Sequence, residues 1–428
     1  MTVRVTTEPC LLGRGRRAFA IVMAVTLFHA DHVLTGDGPA IADAAVAVDE
    51  TGTVRDVGAA TEVLPRNEGA PIERVKGVVF PGLVNAHTHI ELSALRGKIA
   101  AGRGFVPWVD DLITLRTEIT AEEDSEAIER EVSALAASGT VLVGDITNTL
   151  SAVTTLARHG IGGSVFHEVL GVDRTAVLRR VDGLRAELEE RVPAWPTQDL
   201  AYAPAPHTLF TVHPDAIRAL IDGAKNRGIR TSIHLAEHPP ERRAVEHGDG
   251  PFVEWFAKRA QQRPEWPKKP LFDYAEELGV LAPNVLCVHL TDAREEELAR
   301  VAKSGTSVVL CPRSNLFIDA KLPPLLAVLA AGIEPALGTD SLASNTSLDV
   351  LAEARALQER FPSVQPLRLV RMATWNGARA LGRSEAGRIA KGSNPGLYAV
   401  EGEIKTDAAA FLLGNVKAPR RRLSERRA

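Results

Sequence analysis

A histidine pair follows an apolar run in VVFPGLVNAHTHIEL, residues 78–92, where one residue separates His87 from His89. Side chains two residues apart on a β-strand point to the same side, so the pair can bind one metal ion. Two partly buried histidines with hydrogen-bond partners are the simpler explanation of such a pair taken alone. Two later residues of ligand type, His234 in IHLAE and Asp340 in LGTDS, favour metal binding. Three neutral imidazoles and one carboxylate suit zinc or another borderline divalent ion, with one position left for water.

A carboxylate lies close to the third histidine in the sequence, because Glu237 follows His234 by three residues. There it can take a proton from a metal-activated water and pass it on. His289 ends the run NVLCV and has two interpretations, a further metal ligand or a neighbour of the attacking water. The second is preferred because four ligands are already present. His207, in APAPH, is predicted to donate to a heteroatom of the substrate.

The elements that must position these residues are eight short apolar runs that alternate with charged segments of helical periodicity. This alternation predicts an α/β fold, a (β/α)8 TIM-type barrel. The carboxyl ends of all eight strands converge on one face of such a barrel, so dispersed polar residues form one site. Asp145, Glu168, Ser314 and Asn315 also end such runs. Ser314 and Asn315, in CPRSN, are expected to contact the substrate.

The remaining segments are short and β-like, with turn sequences such as TGDG and ETG. We predict an extension at residues 1–22, a small composite β-sandwich domain from residues 23–78 and 388–428, and a barrel at residues 79–387. Met23 is the expected natural start. A secretion signal is the alternative, because arginines precede an apolar segment there. The basic tail KAPRRRLSERRA is expected to be solvated and partly disordered.

The composition limits the class of partner. Fifty basic and 54 acidic residues give a net charge of −4. This balance gives no reason to expect nucleic acid or a membrane as a partner, and a small-molecule substrate is expected instead. Three scattered cysteines fit neither a disulfide framework nor a CxxC zinc site. This usage indicates a cytoplasmic protein.

The motifs PGLVNAHTH, HLAE, VHL, CPRSN and LGTDSLASN occur in this order. The ordered set resembles the metal-dependent amidohydrolase superfamily, in particular the branch of cytosine, guanine and S-adenosylhomocysteine/adenosine-type deaminases and triazine chlorohydrolases. The resemblance covers residues 24–385. It implies that the metal ligands are His87, His89, His234 and Asp340. It also implies that Glu237 is the proton shuttle and that His289 is the partner of the hydrolytic water. His207 would contact the base or ribose. The resemblance also implies that Asp340 accepts a proton from the water.

Within that branch, HTHIELSAL followed by GFVPWVDDLI looks most like the aminodeoxyfutalosine deaminase group. This resemblance implies that Glu91, Phe105 and Trp108 lie near the substrate. The indole ring of Trp108 could then stack on a purine-like ring. Barrels of this type are often dimeric, so a homodimer is a further expectation from the resemblance.

The resemblance bears on the number of metal ions as well. Two-metal barrels of this kind commonly bridge their ions with a carboxylated lysine at the fourth strand. This chain has no lysine between Lys98 and Lys225. One divalent ion is therefore expected, with zinc preferred and iron or manganese as alternatives. A second ion bridged by Glu168 is less favoured.

The leading hypothesis is a metal-dependent hydrolytic deaminase of a purine-like or other N-heteroaromatic amine. Aminodeoxyfutalosine or an adenosine-type nucleoside is the best single substrate. Metal-bound hydroxide would attack the carbon that carries the exocyclic amine, and ammonia would leave. Hydrolysis of a cyclic amide or of a C–Cl bond at the same site is the alternative, and a non-catalytic binding barrel is a remote one. Other histidines, among them His213 and His238, are expected to have structural roles.

Overall fold

The computed structural model describes residues 24–259 and 264–426, so the predicted extension at residues 1–22 lies outside the described residues. Fourteen strands occur within these ranges, and their bounds in chain order are β1 Val25–Leu34, β2 Ala40–Asp49, β3 Val54–Ala59, β4 Ile72–Pro81, β5 Leu83–Thr88, β6 Thr140–Thr147, β7 Gly162–Val169, β8 Leu200–Pro206, β9 Thr231–Leu235, β10 Val285–His289, β11 Ser307–Leu310, β12 Ala336–Leu337, β13 Leu397–Glu401 and β14 Arg421–Ser424.

The same ranges contain sixteen α-helices and a 3-10 helix, Ile90–Leu95. The bounds of the α-helices are α1 Ala60–Arg66, α2 Phe105–Arg116, α3 Ala121–Ala137, α4 Val153–Arg158, α5 Arg174–Arg191, α6 Pro214–Asn226, α7 Pro239–His247, α8 Pro251–Arg259, α9 Leu271–Glu277, α10 Glu295–Ser304, α11 Pro312–Asp319, α12 Leu325–Ala330, α13 Val350–Arg360, α14 Pro366–Met372, α15 Trp375–Ala380 and α16 Ala408–Gly414. None of the described helices has the length and hydropathy needed to cross a bilayer.

Strands β5 to β12 form the part of the fold that carries the site. They pair in parallel and in chain order, as two four-stranded sheets β5–β8 and β9–β12. The sheets meet at both edges: the His234 amide donates to the His207 carbonyl (3.0 Å), and the Thr339 amide donates to the His87 carbonyl (2.9 Å). Every residue of β5, β6 and β7 is buried, as expected for parallel strands covered on both faces. The result is a mixed α/β fold of the TIM-barrel type.

A third sheet joins the two ends of the described chain. Its six strands lie in the order β14-β13-β4-β1-β2-β3, with β1 and β4 parallel and the other pairs antiparallel. This sheet fits the predicted small β-sandwich domain built from both chain ends. The proposed boundary between residues 78 and 79 falls inside β4, which leads directly into the first barrel strand.

The basic tail is ordered up to residue 426, contrary to the sequence-based expectation. Strand β14 pairs with β13, and the arginines that flank it are buried against acidic partners. The Arg420 guanidinium lies 2.6 Å from the Asp349 carboxylate, and Arg426 pairs with Asp199; both arginine side chains are only 3% exposed. Sheet pairing and desolvated ion pairs therefore hold a segment whose composition suggested a solvated terminus.

The connections at residues 91–138 and 238–283 contain α2 and α8, which lie against each other. The Trp255 indole N–H donates to Asp110 Oδ1 (3.0 Å), and the Arg259 Nε lies 2.7 Å from the same oxygen. These bonds fix α8 to α2. Phe105, at the start of α2, stacks on Phe252 of α8 with ring centroids 5.5 Å apart.

We predict that Gly338→Ala destabilises the barrel where β12 meets β5. A Cβ added at Gly338 would lie 2.6 Å from the His87 Cβ and 2.7 Å from the His87 carbonyl oxygen. Such a contact forces backbone shifts that cost about 1–3 kcal/mol of the free energy of unfolding. Urea unfolding monitored by circular dichroism measures this loss.

Gly223→Ala is the matched control, since Gly223 lies inside α6 and an added Cβ there meets nothing within 4 Å. That variant should gain about 0.5–1 kcal/mol, because alanine is the better helix former. Equal stability of the Gly338→Ala variant and the native protein would contradict the close approach of Gly338 to His87.

Candidate active site

The carboxyl ends of the barrel strands bring the predicted residues to one face. His87 lies in β5, His234 in β9, His289 ends β10, and Asp340 follows β12 by three residues. His289 and Asp340 have φ values of +80° and +56°. Non-glycine residues seldom adopt this left-handed conformation, and when they do they cluster at sites where the surrounding structure holds them.

Four potential metal ligands converge at this face. The ligand nitrogens of His87, His89 and His234 lie within 4.8 Å of one another. Asp340 Oδ1 is 3.8 Å from His87 Nε2 and 3.6 Å from His89 Nε2. His234 Nε2 lies 3.4 Å from His89 Nε2. Three nitrogens and one carboxylate oxygen therefore face a common point.

The protonation of these histidines fits a metal ion. Burial, followed by the charges of His234, His89 and His289, holds the pKa of His87 well below its ordinary value. Burial also lowers the pKa of His89. Both imidazoles are therefore neutral, which is the form that binds a metal. Both ring nitrogens of His87 are buried without a hydrogen-bond partner among the described residues.

The tautomer of His234 is fixed by the backbone. Its Nδ1 lies 3.0 Å from the His207 carbonyl oxygen. Because that oxygen only accepts, Nδ1 carries the proton and Nε2 presents its lone pair to the other ligands. The residues present thus fit a divalent cation that the His/Asp donor set would bind.

Glu237 lies beside this cluster. An oxygen of Glu237 groups with ligand-type atoms of His289 and Asp340 within 4.8 Å, and its Oε1 lies 3.4 Å from His289 Nε2. Burial raises the pKa of the Glu237 carboxyl, but the charges of His238 and His289 outweigh burial and leave its pKa well below the ordinary value. Glu237 is therefore a buried carboxylate positioned to accept a proton.

A cavity of about 520 Å³ opens onto this face. Its volume is in the range of small-molecule sites. Its lining includes five of the predicted metal and catalytic residues together with three predicted substrate contacts, namely His89, His234, Glu237, His289 and Asp340, and Glu91, Trp108 and His207.

The predicted substrate contacts Trp108 and His207 are each anchored by a hydrogen bond. The Trp108 indole N–H donates to the Ala343 carbonyl (3.0 Å). His207 Nδ1 lies 2.7 Å from the Thr211 hydroxyl, and burial lowers the pKa of His207 to about 4. Trp108 therefore has a fixed ring face on the cavity wall, and His207 lines the cavity as a neutral imidazole.

Glu91 has a more crowded environment than the sequence indicated. Its Oε2 accepts from the hydroxyls of Thr147 (2.7 Å) and Thr149 (2.6 Å) and from the Asn148 amide (3.0 Å), while Oε1 accepts from Arg116 (2.8 Å). Burial raises the pKa of Glu91, but Arg116 and the threonine hydrogen bonds lower it below the ordinary value. Glu91 is an ion-paired carboxylate in the cavity wall.

Ser314 and Asn315 lie behind the site rather than in the cavity, which corrects the expectation that they contact substrate. Ser314 Oγ donates to Asp340 Oδ2 (2.6 Å), and Asn315 Nδ2 lies 3.3 Å from His289 Nδ1. Both side chains are essentially fully buried. Residues at a strand end reach the cavity only if the chain turns toward it, and here the chain continues into α11, which points these two side chains at protein groups.

Two neighbours of the site were undervalued from the sequence. Glu168 forms a second group of ligand type with His207 and His234; its Oε1 lies 3.8 Å from His234 Nδ1. Because that nitrogen carries a proton, this second group is less suited to a metal than the first. His238, expected to be structural, lies 3.0 Å from Glu237 Oε1. Its position directly after Glu237 was the available signal.

Comparison with known proteins places the chain in a family. The sequence model of the amidohydrolase family matches residues 78–419. The chain belongs to the amidohydrolase family. The resemblance inferred from the motifs is confirmed, and so is the prediction of an aminohydrolase of this family.

Two curated relatives cover most of the chain. The aminodeoxyfutalosine deaminase of Deinococcus radiodurans is 31% identical over 369 residues, 83% of this chain and 85% of the relative. A 5-methylthioadenosine/S-adenosylhomocysteine deaminase of Haloarcula marismortui is 26% identical over 393 residues, 88% of this chain and 81% of the relative.

Two solved structures share the fold. The aminofutalosine deaminase of Helicobacter pylori, in complex with methylthio-coformycin, has a TM-score of 0.82 at 24% identity and covers 92% of this chain and 97% of its own. An atrazine chlorohydrolase of Arthrobacter aurescens, in complex with zinc, has a TM-score of 0.75 at 18% identity and covers 94% of this chain and 92% of its own.

We predict that Ser314→Ala weakens metal binding, because Asp340 loses the hydroxyl that orients its Oδ2. Loss of such an orienting partner typically lowers metal affinity about 10–100-fold. Competition with a chelator measures the affinity. Ser304→Ala is the control, since that hydroxyl donates to the Val301 carbonyl at the end of α10. Equal affinity of the two variants would contradict a role for Ser314 in orienting Asp340.

Glu241 gives a prediction of pH-dependent stability. Burial raises the pKa of Glu241 to about 7, although the Glu237 backbone amide donates to it. The folded protein then keeps a proton that the unfolded chain releases between about pH 4.5 and 7. The stabilisation from this proton is complete below that window and is lost as the pH rises through it.

Glu241→Gln should remove this loss and raise the free energy of unfolding at about pH 8 by about 3 kcal/mol relative to the native protein. Urea unfolding at about pH 5 and pH 8 measures the difference. The exposed Glu190 provides the control variant, Glu190→Gln. If the free energy of unfolding of the native protein falls no more than that of Glu241→Gln between about pH 5 and pH 8, the raised pKa of Glu241 is contradicted.

Proposed function

We propose that this chain is a metal-dependent hydrolytic deaminase of a purine-like amine, with aminodeoxyfutalosine or an adenosine-type nucleoside as substrate. The observation that carries the proposal is the convergence of Glu237, His289 and Asp340 at the inner end of the cavity. A proton acceptor, a neutral imidazole and a carboxylate lie there beside a three-histidine cluster.

The proposed ligands are His87, His89, His234 and Asp340, and the expected ion is one zinc ion. When bound, the ion would lower the pKa of a water molecule and so supply the nucleophile at neutral pH. His87 supports this assignment most strongly, because its buried Nε2 lacks a protein partner among the described residues.

The side chains around the ligands supply the proton transfers. Glu237 takes the proton of the attacking water on a carboxylate oxygen and delivers it to the departing amine. His289, whose pKa burial lowers to about 4, keeps one ring nitrogen toward Glu237 and hydrogen-bonds the water through that face. Asp340, held by the Ser314 hydroxyl, accepts the second proton of the water. That proton ends on the ring nitrogen beside the new carbonyl, so the products are the oxo compound and ammonia. These groups are fixed before the substrate binds, so little reorganisation is needed in the transition state.

The cavity wall supports a ring-shaped substrate. Phe105 and Trp108, with ring centroids 5.7 Å apart, give it an aromatic side, and such faces favour stacking on heteroaromatic rings. His207 and Glu91 provide polar groups for the base and the sugar. The two curated relatives are named as deaminases of aminodeoxyfutalosine and of 5-methylthioadenosine/S-adenosylhomocysteine, which favours a purine nucleoside over cytosine or melamine.

The test is ammonia release by the zinc-loaded protein with adenosine, 5-methylthioadenosine, S-adenosylhomocysteine, aminodeoxyfutalosine, guanine, cytosine and melamine. We expect the highest kcat/KM with one of the four nucleosides. Chloride release from a chlorotriazine without ammonia release from any of these amines would favour the C–Cl alternative. Binding without turnover of any compound would favour a non-catalytic barrel.

Glu237→Gln should reduce kcat at least about 100-fold, because the amide cannot accept the proton of the water. Its metal content should equal that of the native protein, as measured by atomic emission. The control is Glu189→Gln on the exposed side of α5, which should keep full activity. Normal turnover by Glu237→Gln would contradict the assigned mechanism.

A further inference from the structure

His238 contacts the proposed proton shuttle directly. Its side chain is 2% exposed, and its Nε2 lies 3.0 Å from Glu237 Oε1. The same oxygen lies 3.4 Å from His289 Nε2. Two imidazoles from different elements therefore approach one oxygen of Glu237.

His238 is itself held in place from two sides. Its Nδ1 is hydrogen-bonded to Asp319 Oδ2, at the end of α11. The Phe105 ring stacks on the imidazole with centroids 3.9 Å apart and an interplanar angle of 30°. A carboxylate on Nδ1 fixes the orientation of the ring, and in this orientation Nε2 lies 3.0 Å from Glu237 Oε1.

We propose that His238 is a positioning residue for Glu237, oriented by Asp319 and Phe105. Its Nε2 lies 3.0 Å from Glu237 Oε1, and this close polar contact holds the carboxylate in place. This inference rests on the proposed function, because it assigns a role through Glu237. It adds two residues, His238 and Asp319, that the motif HLAE does not include.

The fold makes α11 the element that aligns the site from behind. Three of its side chains bond three site residues: Ser314 bonds Asp340, Asn315 lies against His289, and Asp319 bonds His238. Asn315 and Asp319 are four residues apart, so they lie on the same face of the helix. The His238–Asp319 pair is therefore part of one continuous arrangement around the strand ends.

The first test compares His238→Phe, His238→Gln and Asp319→Asn with the native protein. His238→Phe keeps a ring against Phe105 but removes both nitrogens. We expect kcat to fall about 10–100-fold, the usual effect of losing an orienting partner, with KM changed less than about threefold. His238→Gln keeps a donor near Glu237 and should recover part of the lost kcat. Metal content and far-ultraviolet circular dichroism should match the native protein.

The control is His159→Phe. His159 Nε2 pairs with Glu129 (2.8 Å), so this variant also breaks a histidine–carboxylate pair, and neither residue lines the cavity. Full activity of this control with a reduced kcat of His238→Phe supports the proposal. Native kcat in a folded His238→Phe protein overturns it. A rise in KM without a fall in kcat also overturns it, because His238 would then act on substrate binding.

A double variant tests whether Asp319 acts through His238. Asp319→Asn alone should lower kcat, whereas in the His238→Phe background it should have no further effect. Additive losses would overturn the coupling. Because Asp319 is 21% exposed, its variant is expected to fold even where His238→Phe does not.

Proton NMR gives a readout that does not depend on turnover. The Nδ1 proton shared with Asp319 should give a downfield resonance that disappears in His238→Phe and shifts in Glu237→Gln. If the native protein lacks this resonance, or if its chemical shift is unchanged in Glu237→Gln, the proposed contact between His238 and Glu237 is overturned. Failure of the native protein to release ammonia would instead refute the proposed function while this resonance is still observed.

Discussion

The site depends on one electrostatic constraint: three imidazoles and the Asp340 side chain face one point inside the protein. His87 is buried with neither ring nitrogen hydrogen-bonded among the described residues, and such an unpaired group lowers stability unless something binds it. A divalent cation satisfies the imidazole lone pairs and the charge of Asp340 together. Ion binding and the stability of this end of the barrel are therefore linked, because a ligand that binds only the folded state stabilises it.

The remaining structure keeps these groups in place at the strand ends. Left-handed backbone at His289 and Asp340 turns the chain out of the barrel at the positions where the side chains are needed. Gly338 lets β12 approach β5 closely enough for the Thr339 amide to bond the His87 carbonyl. Helix α11 then supplies hydrogen bonds from behind, so the orientation of the site comes from a helix that does not itself reach the substrate.

Much of this arrangement follows from the sequence because it depends on periodicity. Eight apolar runs ending in polar residues predict parallel strands, and strand ends of a barrel must meet on one face. The histidines and Asp340 could therefore be grouped before any contact was known. The six-stranded sheet could also be anticipated, since both chain ends have short β-like patterns.

Side-chain direction after a strand end could not be predicted in the same way. Asp145 was expected to end a strand as the site residues do, yet it lies inside β6, is fully buried and accepts from the Ile90 amide (3.0 Å). Ser314 and Asn315 likewise turn toward protein groups. His238 was expected to have a structural role, because the sequence does not show its contact with Asp319, which joins positions 81 residues apart. The tail was expected to be disordered for the same reason, because its arginines pair with carboxylates that are distant in the sequence.

The most direct measurement of the central claim is anomalous diffraction from a crystal of the zinc-loaded protein, recorded on both sides of the zinc absorption edge. The account predicts one anomalous peak per chain, within bonding distance of the Nε2 atoms of His87, His89 and His234 and of the Asp340 carboxylate. A peak among Glu168, His207 and His234 instead, or no peak at this face of the barrel, would contradict it.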